Sequence, residues 1–148
     1  MVMTYTYRGF ADKVRRASAK VRPEAERLLI ARMELMKELA RSYPGNMQPG
    51  WAQLSYQTQA RKNKLGYGSK GPLMREGTYR DSINIRVTPG LQGVLYSQHK
   101  GARLFELGGL AGSGSHMPPR TVILRAAAEM RGVYLKELNE LLVRVMEE

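Results

Sequence analysis

The feature that most constrains the fold is the segment 71–88, where a loop rich in Gly and Pro gives way to one helical-looking turn and then to strict alternation. The apolar residues of this alternation are Ile83, Ile85 and Val87. Alternation of apolar and polar residues is typical of a strand with one buried face. A Pro-Gly turn at 89–92 separates this run from a second one, so the sequence predicts an antiparallel hairpin with strands over 82–88 and 93–97.

Long amphipathic helices are predicted on both sides of this hairpin. Apolar residues recur at steps of three and four through residues 10–42 and again through residues 120–145. Pro23 lies inside the first segment, and proline both removes a backbone donor and clashes with the preceding turn. We therefore expect a kink near Arg22 or a second helix that restarts at Pro23. A shorter polar helix is expected over 51–62.

These elements predict one α+β domain over residues 1–148, with two long helices packed on a small antiparallel β-sheet, a short helix and flexible loops. A two-stranded hairpin is only marginally stable by itself in water, so the long helices have to cover it. Two glycine-rich segments, 63–72 and 108–117, are expected to be exposed and mobile. The expected parts of the domain are a helical N-terminus over 1–42, a loop and sheet core over 51–109, and a C-terminal helix over 120–147.

Composition narrows the classes of function. The chain of 148 residues has no cysteine, which excludes disulfides, thiol catalysis and cysteine metal sites. Residues 1–5 lack the layout of a secretory signal, and no apolar run approaches the ~20 residues needed to span a bilayer. We expect a protein without a membrane partner, located in a cytoplasm or in a particle assembled there.

The net charge of +11 lies mainly in two segments. Residues 1–22 carry six basic and one acidic side chain, and residues 44–103 carry nine basic and two acidic ones. Such a distribution favours polyanionic surfaces or acidic partners. The sharpest candidate for partner or DNA contact is the basic cluster Arg61, Lys62, Lys64 and Lys70. The alternative is a solvated helix end, where cations suit the helix dipole; this explains the first two residues better than the last two.

No arrangement of residues predicts catalysis, a metal or a cofactor. The only histidines, His99 and His116, lack carboxylates at ligand spacing and are expected to be solvated loop residues. The glycine-rich segment 66–71 lacks the spacing of a phosphate-binding loop, and the serines lack an oriented base. We therefore predict that the protein is not an enzyme and has no catalytic, cofactor-binding or metal-binding residues.

In their order and spacing, residues of the middle of the chain resemble the phage virion-morphogenesis family, the small head–tail joining and tail-completion proteins of tailed bacteriophages. The resemblance covers roughly residues 51–128 and departs from the family pattern at Glu76, at Tyr79 and over 97–101. The positions that match the family pattern are Trp51, Leu54, Leu73, Gly77, Ser82, Ile83, Phe105, Glu106, Gly108, Pro119 and Arg120.

The resemblance implies a structural virion subunit that forms a ring, usually sixfold, in the neck or at the head-proximal end of the tail. Its implied partners are copies of itself, head connector or adaptor proteins, and tail tube or terminator proteins, with DNA in the lumen as a further contact. The implied location is the virion, after assembly in the host cytoplasm. The alternative is a small basic nucleic-acid-binding protein, which the charge favours although no helix-turn-helix, RNP-like aromatic motif or zinc knuckle is recognisable.

Overall fold

The computed structural model describes residues 7–147, with side chains from residue 9 onward. Two long helices and a small antiparallel sheet form an α+β fold, which confirms the predicted fold class. Residues 1–6 of the expected helical N-terminus lie outside the described residues. The elements are α1 (Tyr7–Ser42), α2 (Tyr56–Lys64), α3 (Thr78–Ser82), β1 (Ile83–Thr88), β2 (Gln92–Ser97), α4 (Ala102–Leu107), β3 (Gly109–Leu110), β4 (His116–Met117) and α5 (Ile123–Glu147).

The helices α1 and α5 pack against each other in antiparallel orientation. At the middle of α1, Glu24 accepts a hydrogen bond of 2.7 Å from Arg144, close to the end of α5. Further along α1, both edges of the Arg32 guanidinium contact the Glu137 carboxylate. The apolar residues that share the core beneath these pairs are Ala17, Val21, Ala25, Leu138, Leu141 and Val145.

Helix α1 runs unbroken through Pro23, so the expected restart of a second helix there is wrong. Proline removes one backbone donor, but its cost of about 3 kcal/mol is local. Ala17 precedes Pro23 and Ala25 follows it, and both are buried in the core shared with α5. Packing on both sides of the proline therefore keeps the helix continuous.

The main sheet is the predicted hairpin, although β1 begins one residue later and β2 one residue earlier than expected. Strand β1 pairs with β2 in the register Ile83↔Ser97 to Thr88↔Gln92. Ile83 is fully buried and Asn84 is exposed, as the alternation predicts. Ser82 ends α3 instead of beginning the strand, because its hydroxyl donates to the Tyr79 carbonyl oxygen at 2.6 Å.

Several other boundaries differ from the sequence prediction. Helix α2 begins at Tyr56 because the Ser55 hydroxyl accepts the Thr58 backbone N–H at 3.2 Å. Trp51 therefore precedes the helix and lies buried in the core. The expected flexible segment 108–117 contains the short antiparallel pair β3–β4, and α4 was not predicted.

A second core joins the sheet to both long helices and to α3. Tyr79 and Ile83 contribute its centre, and Leu73 and Phe105 pack against it. The fully or nearly buried members of this core are Ala40, Tyr43, Trp51, Tyr79, Ile83, Val122 and Ala126. This core fixes the position of α5 relative to the hairpin.

Replacing Ile83 with Ala should lower the free energy of unfolding by about 2–4 kcal/mol, because it leaves a cavity at a fully buried position. The matched control is Val94→Ala on β2, whose side chain is exposed and whose loss should cost less than about 1 kcal/mol. Urea denaturation followed by circular dichroism measures both. Equal costs for the two variants would contradict this placement of β1.

Candidate interaction site around the start of α5

The Glu106 carboxylate caps the N-terminus of α5. Its Oε1 accepts the backbone N–H groups of Val122 at 2.8 Å and Ile123 at 2.7 Å, and its Oε2 accepts that of Leu124 at 3.2 Å. The first N–H groups of a helix have no partner within the helix, and a negative charge also suits the helix dipole. A residue distant in sequence therefore supplies the cap that α5 lacks locally.

Tyr79 of α3 completes this cap from the side of the core. Its hydroxyl donates to Glu106 Oε1 at 3.2 Å, and its ring packs edge-on against Phe105 with centroids 4.8 Å apart. Burial, followed by the charge of Glu106 and the hydrogen bond to it, raises the pKa of Tyr79 above its ordinary value of 10.0. The hydroxyl is thus protonated at neutral pH and available as a donor.

His99 belongs to the same aromatic group, so the expectation of a solvated loop histidine is wrong for this residue. Its ring stacks on Phe105 at 5.6 Å and meets Tyr79 edge-on at 5.6 Å. Its Nδ1 accepts the backbone N–H of Gly101 at 3.0 Å, which holds the turn before α4. His116, by contrast, is exposed.

Gly108 lets the chain reverse after α4. Its φ of +68° favours glycine, and a Cβ there would lie 2.8 Å from the Met117 carbonyl oxygen and from the Pro119 nitrogen. The returning chain is held where the Arg120 N–H donates to the Phe105 carbonyl oxygen at 2.7 Å. The segments 105–108 and 118–120, which contain positions that match the family pattern, therefore meet at one junction between α4 and α5.

Arg120 is the buried cation of this junction, with only 4% of its surface exposed. Its Nη2 donates to the Ala52 carbonyl oxygen at 2.9 Å, while its Nε is buried without a partner among the described residues. Burial lowers the pKa of Arg120. The nearby Trp51 also has a buried ring nitrogen without a described partner.

The remaining family-like positions serve the same region. Gly77 precedes α3 with a φ of +87°, a left-handed conformation that favours glycine. The Ser82 hydroxyl contacts the Ser97 hydroxyl at 2.6 Å and so ties α3 to β2. Leu73 packs on the core around Tyr79, and Leu54 lines the adjacent groove.

This groove has a volume of about 690 Å³ and lies between α2, the segment 73–79 and the β3–β4 hairpin. Its apolar lining includes Leu54, Leu65, Leu73, Met74, Phe105, Met117 and Pro118. Its charged lining consists of Arg61, Lys62, Arg75, Glu76 and Arg120. The structure thus brings two members of the predicted basic cluster to a partly apolar groove, which the spacing of those residues in sequence did not indicate.

The four residues of the basic cluster have different roles. The Lys62 ammonium donates to the carbonyl oxygens of Gly71 at 2.7 Å and Met74 at 3.4 Å, and it also contacts that of Lys70. Burial, with a smaller contribution from Lys70, lowers the pKa of Lys62. Lys70 donates to the Arg75 carbonyl oxygen at 2.9 Å.

These contacts fold the segment 65–75 back onto α2, in place of the projecting mobile loop that its glycines predict. The physical reason is that the turns leave several carbonyl oxygens facing one direction, where an ammonium group with three donors can bind them. The side chains of Arg61 and Lys64 make no hydrogen bond or ion pair with any described residue. These two side chains are the members of the cluster left for a partner.

Comparison with models of protein families, with curated protein sequences and with solved structures finds no significant match. Within residues 7–147 no three metal-binding side chains cluster at a common point. Over the same residues, no helix combines the length and the apolar character needed to cross a membrane.

Replacing Glu106 with Ala should cost about 2–4 kcal/mol of unfolding free energy, because it leaves three backbone N–H groups and the Tyr79 hydroxyl without their acceptor. Glu140→Ala is the control. The exposed Glu140 carboxylate makes a weak ion pair at 4.0 Å from Lys136 within α5, so this substitution should cost less than about 0.5 kcal/mol. Thermal and urea unfolding provide the measurement. A small loss in Glu106→Ala, similar to the control, would show that α5 does not depend on this cap.

Lys62→Met should destabilise the protein by about 1–3 kcal/mol, because buried carbonyl oxygens lose their donor. Lys64→Met removes the same charge from the same helix end but breaks no described contact, and it should change stability by less than about 0.5 kcal/mol. Hydrogen exchange of the amides in 65–75 should rise in the first variant only. If both variants unfold like the wild type, Lys62 does not hold this segment.

Proposed function

We propose that this protein is a structural subunit of a bacteriophage virion that forms a ring at the neck or at the head-proximal end of the tail. It joins head to tail and leaves a lumen through which DNA passes. The order of the motif residues supports this proposal through the family resemblance. The observation that carries it is an apolar face of α5 that is exposed among residues 7–147.

This face runs along α5 beside the stripe of its buried residues. At ~100° per residue, its four apolar positions fall within about 40° of one line, whereas Ala126, Leu141 and Val145 face the core. The exposed fractions of the four are substantial: Leu124 55%, Leu135 51%, Leu142 42% and Met146 44%. Apolar faces of this kind on a small protein mark interaction surfaces.

A second apolar surface, exposed in the described part of the chain, lies near the start of α1. Phe10 and Val14 continue the row of Ala17 and Val21 at helical spacing, and both are exposed. Ala17 is the first α1 residue of the core shared with α5, so the preceding turns extend past that core. Two different apolar surfaces on one chain suit a head-to-tail contact between copies, and such contacts close into rings when the rotation permits.

In this proposal the work of the protein is mechanical and not catalytic. Neighbouring copies cover the faces of α1 and α5 in a ring of six, the usual symmetry of the family that the sequence resembles. Head connector or adaptor proteins contact one side of the ring, and tail tube or terminator proteins contact the other. The excess positive charge faces an acidic partner or the DNA in the lumen.

The competing proposal is a small basic nucleic-acid-binding protein. The net charge of +11 and the unpaired side chains of Arg61 and Lys64 favour it. It requires the monomer to bind free duplex DNA with an affinity that falls steeply as salt rises. The ring proposal requires association between copies that depends on apolar surface.

The test is a charge placed on the apolar face of α5. Leu142→Glu should weaken self-association at least about tenfold, because it buries a carboxylate in the proposed contact. The matched control is Val133→Glu, at a similarly exposed residue about half a turn around the same helix. Sedimentation equilibrium measures the association, and native mass spectrometry measures the size of the assembly.

The wild-type chain should form one closed assembly as its concentration rises, and Val133→Glu should retain it. A wild-type chain that stays monomeric at every concentration, or equal loss in both variants, would contradict the proposal. Monomers that bind duplex DNA with a steep salt dependence would support the competing function instead.

A further inference from the structure

We infer that the groove between α2, the segment 73–79 and the β3–β4 hairpin is the docking site for a short acidic segment of a partner protein. The inference rests on the proposed function for the identity of the partner, a neighbouring protein of the neck or tail. Its physical basis is independent of the ring. It combines an uncompensated charge, an apolar lining and the dimensions of the groove.

The positive charge of the groove is not balanced by acidic side chains among the described residues. Glu76 is the one carboxylate that lines it, and its Oε1 already lies 3.5 Å from Arg75 Nε. Lys62 is committed to backbone carbonyl oxygens. The positive charges of Arg61 at the edge and Arg120 therefore remain without an acidic partner among the described residues, so the groove favours an anionic occupant.

Arg120 is the strongest single indication of a missing partner. It lines the groove although it is 96% buried, and no described carboxylate lies within 4.0 Å of its guanidinium. A buried charge without a counter-charge is unfavourable, and a carboxylate that enters the groove would offset that cost. Because Arg120 also positions the chain between α4 and α5, an occupant there would contact the junction capped by Glu106.

The apolar lining indicates a protein segment in preference to DNA. The groove lining combines Leu54, Leu73 and Met117 with the hydroxyl-bearing residues Ser55 and Thr78. A volume of about 690 Å³ is in the range of sites that enclose small ligands and single side chains. A DNA duplex is too wide to enter this groove. An extended peptide is narrower, and its carboxylate and apolar side chains match the lining.

The experiment uses the full chain and a defined probe, a short synthetic peptide in which Glu and Leu alternate. A peptide in which Lys replaces each Glu, and a short DNA duplex, serve as the comparison ligands. Fluorescence anisotropy gives the affinities, and amide chemical shifts of the labelled protein give the location. The acidic peptide should bind saturably and shift residues of the groove, and the basic peptide should not bind.

Arg61→Glu should weaken binding of the acidic peptide at least about tenfold. Lys64→Glu is the matched control, because it makes the same change of charge one turn away on α2 but does not line the groove; it should alter binding less than about twofold. The Arg61 side chain makes no hydrogen bond with any described residue, so the variant should fold normally, as circular dichroism will verify.

Absence of saturable binding, or equal loss in Arg61→Glu and Lys64→Glu, would overturn the inference. Shifts of the groove residues caused by the duplex and not by the peptide would overturn it in favour of nucleic acid. Failure of the proposed ring is separately visible, because the Leu142→Glu comparison reports self-association without any peptide. Peptide binding by a chain that never self-associates would support the docking site and contradict the proposed ring.

Discussion

The cap that Glu106 forms on α5 is the interaction on which the rest of the structure depends. One carboxylate satisfies three backbone N–H groups of α5 and accepts the Tyr79 hydroxyl. It therefore joins α3, α4 and α5 at one point, and α3 leads directly into β1. Because the isolated hairpin is only marginally stable, its position against the long helices depends on this link and on the core around Ile83.

The same junction contains the least satisfied polar groups of the described chain. Arg120 Nε and Trp51 Nε1 are buried without hydrogen-bond partners, whereas both oxygens of the Glu106 carboxylate accept hydrogen bonds. Native structures leave few such groups, because each costs free energy that packing has to offset. These groups lie at a groove lined with basic and apolar residues. Binding of the proposed acidic segment there would offset the free-energy cost of leaving them unpaired.

The proposed interaction surfaces occupy different parts of the molecule. The uncovered faces of α1 and α5 are apolar and suit contacts between copies of the chain. The groove beside α2 is lined by both apolar and basic residues, which suits a different partner. A subunit that joins two larger structures requires such a separation, since contacts within a ring and contacts to its neighbours have to form at the same time.

The sequence alone determined those parts of the fold that depend on local patterns. Alternation predicted the β1–β2 hairpin, and helical periodicity predicted α1 and α5. Tertiary structure decided the rest, because distant contacts outweigh local propensity. Packing on α5 carries α1 through Pro23, a carbonyl cluster binds Lys62, and ring stacking holds the half-buried His99. The cap by Glu106 has no local signal, since the N–H groups that it accepts begin sixteen residues further along the chain.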